Sequence, residues 1–251
     1  LHHTRPVNHP VATANVSGTS FRKSVQKSGT LRVGLCGDAR HGKTFTSLWI
    51  GFGIGGPIAV MATENSSAEF YAQMGEYDVC VLQAPFTAQK YTDAIHAAER
   101  AWYNVIIIDS LSHAWAGEGG LLDLKDNIAK TSKSGNSFTA WKDVTPLHRG
   151  LVDAMLQSPC HIIATMRSKT EYVIDTDDRG RSFPRKIGMA PVQREGMDYE
   201  FTLVFDIDAA HIATASKDRT SLFTGKSFQP SAETGRQLKE WLETDTSAGG
   251  A

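Results

Sequence analysis

Residues 31–50, LRVGLCGDARHGKTFTSLWI, decide the fold. An apolar run of strand type (31–36) leads into Gly37-Asp38-Ala39-Arg40-His41-Gly42-Lys43-Thr44, and residues 44–50 continue without proline, as the start of a helix requires. A glycine, four residues, then Gly-Lys-Thr between a strand and a helix is the pattern of a phosphate-binding loop. A phosphate chain concentrates negative charge, and such a turn aims several backbone N–H groups at it. Gly37 and Gly42 let the chain bend with no Cβ in the way. Lys43 would bring a compact positive charge to the outer phosphates, and the Thr44 hydroxyl would ligate Mg²⁺ bridging the same oxygens. The expected nucleotide contacts are this loop and the residue after it, Phe45, with ATP and Mg²⁺ as the cofactors.

Composition narrows the setting. At 251 residues and 41% apolar content, the chain can bury one substantial core. A net charge of -1 and a pI near 6.8 give no bulk attraction to nucleic acid or anionic membrane, so any such contact must be local. No apolar stretch reaches membrane-spanning length and no secretory signal opens the sequence, so a cytoplasmic protein with no membrane partner is expected. Cys36, Cys80 and Cys160 lie far apart inside apolar runs, and read as small buried residues in a reducing compartment.

Three regions follow. Residues 1–28 carry Arg5, Arg22, Lys23 and Lys27 with no acidic residue, and read as a flexible basic arm. Residues 29–229 alternate β-type runs (31–36, 57–63, 78–82, 104–109, 161–166 and 201–207) with helical stretches, the rhythm of an α/β fold with a mainly parallel central sheet flanked by helices. Within them, 87–102 is an amphipathic helix with Tyr91, Ile95, Ala98 and Trp102 on one face, and 169–191 reads as a projecting β-hairpin around the turn-rich DTDDRGRS. Residues 230–251 supply a short helix and a tail.

Two carboxylates complete the chemistry. NVIIID (104–109) is a buried strand ending in Asp109, placed to hold Mg²⁺ or its water opposite Thr44. Glu64 emerges at the end of the second strand, at the crevice where ligands bind, and is the candidate general base, with Glu69 as the weaker substitute. Capping of a helix beginning near Ser66 is the competing reading of Glu64.

GDARHGKT, ATENSSAEFYA, NVIIIDSLSHAWAGEGGLLDL, CHIIATMRSKTEYV, PVQREGMDYEF and SKDRT together resemble the RecA-like P-loop ATPases of the AAA class encoded by bacteriophages and prophages, over about residues 30–225. The resemblance implies ATP binding at the loop, Mg²⁺ support by Asp109, water activation by Glu64, and a polar sensor at Thr165 or Arg167. It also implies that Lys217 and Arg219, two residues apart in SKDRT, reach the γ-phosphate of a neighbouring subunit in a homo-oligomer. The competing reading is a solvated pair neutralising Asp206 and Asp208.

RecA-like proteins bind single strands through loops after the strands that end near Asp109 and Met166, here 112–136 and 167–191. The second holds Arg167, Lys169, Arg179, Arg181, Arg185 and Lys186 with Tyr172 and Phe183, diluted by Glu171, Asp175, Asp177 and Asp178. Trp115 and Trp141 could stack on bases, although a tryptophan is more often core. The leading expectation is a Mg-dependent ATPase that oligomerises, ring or filament, on single-stranded DNA and supports phage-type recombination or annealing, alongside phage or host replication proteins. The alternative is a ring motor or loader acting on a protein partner without DNA stimulation. A small-molecule kinase is disfavoured because no arginine-rich lid is visible.

Overall fold

A computed structural model of the chain describes residues 29–64, 68–131, 137–176 and 182–244. The basic arm, Arg179, Arg181 and the tail from 245 lie outside them, and of Arg185 and Lys186 the backbone alone is described. In chain order the elements are β1 (Arg32–Gly37), α1 (Lys43–Ile54), β2 (Ile58–Ala62), a 3-10 helix (Ala68–Met74), β3 (Asp78–Val81), α2 (Ala88–Arg100), β4 (Val105–Asp109), α3 (Ser112–Ala116), α4 (Leu121–Thr131) and α5 (Ser137–Gln157). There follow β5 (His161–Thr176), β6 (Ser182–Pro191), a second 3-10 helix (Met197–Glu200), β7 (Leu203–Ile207), β8 (Ala213–Asp218), β9 (Ser227–Phe228) and α6 (Ala232–Thr244).

The strands stand in the order β3-β2-β4-β5-β1-β7-β8-β9. From β3 to β7 every pairing is parallel, and β8 and β9 add an antiparallel edge. The expected α/β sheet is therefore present. Side chains in a strand alternate between faces, so β4 sends Ile106 and Ile108 into one core and Val105 and Ile107 into the other. The first core is closed by α2 and α5, the second by α1 and α6. Gly53 of α1 and Gly235 of α6 let those helices touch: a Cβ on Gly53 would stand 1.9 Å from the Ala232 carbonyl oxygen.

Several local expectations change. Helix α2 is capped by the Thr87 hydroxyl and buries Tyr91, Ile95 and Ala98, but it ends at Arg100. Trp102 then takes a positive φ of 63° and turns outward, 87% exposed, so it does not line the helix face with the others. Cys80 is exposed because β3 is the outer strand of the sheet, whereas Cys36 and Cys160 are buried, and all three are free thiols. The segment after β4 is helical in α3 and α4 rather than an open loop. Helix α5 runs through Pro146, a residue that removes one backbone donor, and is held by Val144, Leu151 and Met155, buried in the first core.

Arg32, inside the first strand, is 4% exposed. Its guanidinium donates to the carbonyls of Leu31, Cys160, Leu156 and Ser158, so it caps the carboxyl end of α5, where a cation complements the helix dipole. Burial lowers its pKa to about 10. The hairpin is a continuation of the sheet. Residues 161–167 of β5 lie between β4 and β1, and from Ser168 onward β5 pairs only with β6, antiparallel. Since Gly37 is paired with Arg167, the hairpin leaves the sheet on the side where the phosphate loop sits.

Candidate functional site

The loop occupies the end of β1 and opens α1, as its sequence requires. Gly42 has φ 76°, and a Cβ there would fall 2.7 Å from His211 Nδ1; a Cβ on Gly37 would fall 2.8 Å from the Ile207 carbonyl oxygen. Gly42 is thus fixed by backbone shape and by close approach, and Gly37 by close approach. His41 anchors the loop to β7, its Nδ1 lying 2.8 Å from the Ile207 carbonyl. That contact makes His41 a tether of the loop, while Asp38, Ala39 and Arg40 remain exposed around the turn. The Lys43 ammonium folds back to donate to the carbonyls of Gly37 (2.9 Å) and Asp38 (2.8 Å). Its pKa is lowered by burial, against the opposing pull of Asp109 and Glu64. A phosphate entering the turn would exchange those carbonyls for anionic oxygens.

Thr44, Asp109 and Thr165 come together from α1, the end of β4 and the neighbouring position of β5. The Thr44 hydroxyl donates to Asp109 Oδ2 and the Thr165 hydroxyl to Oδ1, each at 2.6 Å. Asp109 is 4% exposed and Thr165 fully buried. Parallel pairing of β4 with β5 makes the cluster, because it brings Ile108 level with Ala164, one residue before each partner. Hard oxygen donors, one hydroxyl and one carboxylate, beside a phosphate loop suit Mg²⁺, which binds through one or two carboxylates plus phosphate oxygens and water. Among the described residues no group of three or more His, Cys, Asp or Glu side chains could hold a metal by itself, so a cation here would be shared with the nucleotide.

Glu64 lies just past the end of β2, next to β4 in the sheet. Its carboxylate accepts from Arg167 Nε at 3.2 Å and Nη2 at 2.5 Å. Of the two sensor candidates, Thr165 therefore bonds the metal-site carboxylate and Arg167 the candidate base. Arg167 also corrects an expectation: its side chain is engaged with Glu64 at loop level rather than strung along the hairpin with Lys169, which is exposed. The register sets this, since β5 is still inside the parallel sheet at residue 167. Glu69 lines a separate cleft with Gly56 and Pro57, where β2 begins. It is at the wrong end of the strand to substitute for Glu64.

The sequence reading missed a link between the two carboxylates. The Thr63 hydroxyl lies 3.1 Å from the Asp109 carbonyl and 2.6 Å from His113 Nδ1, and accepts from the Ser110 N–H at 2.9 Å. The His113 ring stacks on Phe86, with centroids 4.9 Å apart, and its pKa is lowered first by burial and then by Arg167. The strand end that carries Glu64 is thereby tied to the one that carries Asp109. The only sequence signal was a polar residue at each strand end.

Beside the loop, a cleft of about 610 Å³ is lined by Arg40, Phe45, Tyr71, His211 and Pro230 among others. The Phe45 ring meets Trp49 and Tyr71 edge-on, each at 6.0 Å. Tyr71, His211 and Pro230 come from three distant segments and carried no signal of their own.

Lys217 and Arg219 lie in and just after β8, and both cations converge on one acceptor: Lys217 Nζ donates to the Tyr199 carbonyl at 2.6 Å and Arg219 Nη2 to the same oxygen at 3.0 Å. Lys217 also bonds the Asp198 carbonyl, and burial lowers its pKa, with Arg219 adding to the effect. Neither is placed to neutralise Asp206 or Asp208, since Asp206 pairs with Thr214 in the register and Asp208 bonds the N–H groups of Ala210 and Ile212. Leu203 is level with both Asp218 and Val33. Arg219 is therefore at the start of β1 and the phosphate loop at its end, about 17 Å away at roughly 3.3 Å per residue. Arg219 cannot serve the loop of its own chain.

No helix among the described residues is long and apolar enough to cross a membrane. No curated protein matches the chain. Comparison with protein families does match residues 30–232 to the AAA domain. The matched span takes in the phosphate loop, the Asp109 strand and the Lys217–Arg219 edge, and over most of its length this chain belongs to the AAA domain family.

Proposed function

We propose that the protein is a Mg²⁺-dependent ATPase that assembles on single-stranded DNA, of the kind that supports phage-type recombination or annealing. The observation that carries the hydrolysis is the convergence of Lys43, the Thr44–Asp109–Thr165 cluster and the Glu64–Arg167 pair on one end of the sheet. The loop and Lys43 would hold the phosphates, and Thr44 and Asp109 would hold Mg²⁺, which when bound would supply positive charge to offset that developing on the transferred group. Glu64 takes a proton from the attacking water once it is turned from Arg167. The aromatic cleft beside Phe45 and Tyr71 receives the nucleobase.

Assembly is supported by the separation of Arg219 from its own loop: a cation at the opposite end of the sheet can complete a site only on a neighbouring copy. The protruding β5–β6 hairpin, on the loop side of the sheet, supports a polymer target.

The test is ATP hydrolysis by the purified protein with and without single-stranded DNA. Stimulation by DNA, lost in Lys43→Ala and in Arg219→Ala, is the expected result. Hydrolysis indifferent to DNA would turn the assignment toward a motor with a protein partner, and normal hydrolysis by Arg219→Ala under assembling conditions would end its role between subunits.

A further inference from the structure

An open groove of about 1080 Å³ runs along the exposed side of α5, between that helix and the segment carrying Arg194 and Tyr199. It lies away from the phosphate loop, and its lining residue Tyr199 holds Lys217 and Arg219 through its backbone carbonyl alone. At its floor the rings of Trp115 and Trp141 stack 5.7 Å apart, 19° from parallel. The Arg194 guanidinium, which also lines the groove, lies 5.6 Å from the Trp141 centroid, and the Lys125 ammonium 5.7 Å from it. The opposite wall carries Tyr199, 70% exposed, with the Lys217 ammonium 5.6 Å from its ring centroid. Lys142 and Arg149 stand exposed along the rim.

Three properties select the occupant. At about 1080 Å³ the groove stands at the upper end of the roughly 300–1,000 Å³ of small-molecule pockets and is open to solvent rather than enclosed, which leaves room for a polymer to pass. Its lining sets Lys142, Arg149 and Arg194 against one carboxylate, Glu195, in a chain whose net charge is -1. That is a local positive patch on a nearly neutral protein, the complement of a polyanion. The apolar part is ring surface, with no Leu, Ile, Val or Met in the lining. An amphipathic peptide helix seeks an aliphatic groove, whereas unpaired bases stack on aromatic rings and on guanidinium planes whatever their sequence.

We propose that this groove is a path for single-stranded DNA, in which bases stack on Tyr199 and on the Arg194–Trp141–Trp115 layers while Lys142 and Arg149 meet the phosphates. The choice of DNA rests on the function proposed above; the site itself is separate from the nucleotide, so the two can fail independently.

The experiment is binding of a labelled oligo-dT strand to the full chain without nucleotide, followed by fluorescence anisotropy and by intrinsic tryptophan emission. The wild type binds with quenching of tryptophan and with weakening by salt. Tyr199→Ala and Arg194→Ala each lose about 5- to 150-fold in affinity, the range for removing one stacking partner, while Tyr199→Phe keeps wild-type affinity. Lys43→Ala, which tests the nucleotide site, leaves oligonucleotide binding intact. The proposal is overturned if the Tyr199→Ala/Arg194→Ala double variant, folded by circular dichroism and still binding a fluorescent ATP analogue, binds oligo-dT as the wild type does. It is also overturned if the wild type does not bind the strand at low salt, if oligo-U binds more than about tenfold tighter, or if the double variant changes only the oligomeric state.

Discussion

Replacing Thr165 with valine keeps the side-chain shape and removes one hydroxyl, so it isolates the bond that holds Asp109 Oδ1. That bond spans 2.6 Å in a fully buried position, and the carboxylate it serves is 4% exposed, so water has little access to replace the lost donor. Hydrogen bonds to charged groups contribute about 1.5–3 kcal/mol, and a buried acceptor deprived of its partner is destabilised on the same scale. Thr165→Val should therefore lower unfolding free energy by about 1.5–3 kcal/mol, a fall in Tm of roughly 3–12 °C for a chain of this size. Urea unfolding followed by fluorescence measures the first quantity, and differential scanning fluorimetry the second. Thr165→Ser keeps the donor and loses one methyl, costing about 1 kcal/mol in a packed site, and should keep hydrolysis where valine impairs it. A cycle pairing Thr165→Val with Asp109→Asn should show coupling above about 1 kcal/mol, because the two side chains act through one bond. A valine variant within 0.5 kcal/mol of wild type, with the cycle additive, would refute the argument that this hydroxyl fixes the carboxylate.

Five further variants have expected outcomes. Arg167→Ala removes a bond between half-exposed partners, worth about 0–1 kcal/mol to folding, so Tm should barely move while ATP hydrolysis falls at least about tenfold; Glu64→Gln should abolish turnover yet leave binding of a fluorescent ATP analogue intact. Gly53→Ala drives a Cβ into the Ala232 carbonyl and should cost about 1–3 kcal/mol or more in a urea titration, whereas Gly150→Ala, open on all sides, should be neutral or stabilising. His161 accepts the Leu31 N–H at Nδ1, and burial lowers its pKa from 6.5 to about 4. The unfolded chain then binds the extra proton between those values, so stability is full above about pH 6.5 and declines as pH falls toward 4; His161→Asn should flatten the acid side of a stability-against-pH curve.

The sequence by itself determined the phosphate loop and the alternation of strands and helices. Both are local: two glycines where the turn admits no Cβ, and apolar runs such as VIIID that can exist only between covered faces. It also put Asp109 and Glu64 at strand ends, which in a parallel sheet lie at the same edge. Tertiary structure decided the rest. Helix α5 is broken on paper by Pro146, and forms because its buried face packs on the sheet. Arg32, a cation inside an apolar strand, caps the far end of α5, a partner more than a hundred residues away. Tertiary packing also put Trp102 and Cys80 outside the core. The register of β8 on β7 put Lys217 and Arg219 a strand's length from the phosphate loop of their own chain. The pairing of Arg167 with Glu64, the link from Thr63 to His113 and the groove of Trp141 and Tyr199 each join side chains far apart in sequence. Local spacing constrains what one segment can form; which segments meet is fixed by strand order and register, which arise only when the whole chain buries its apolar faces together.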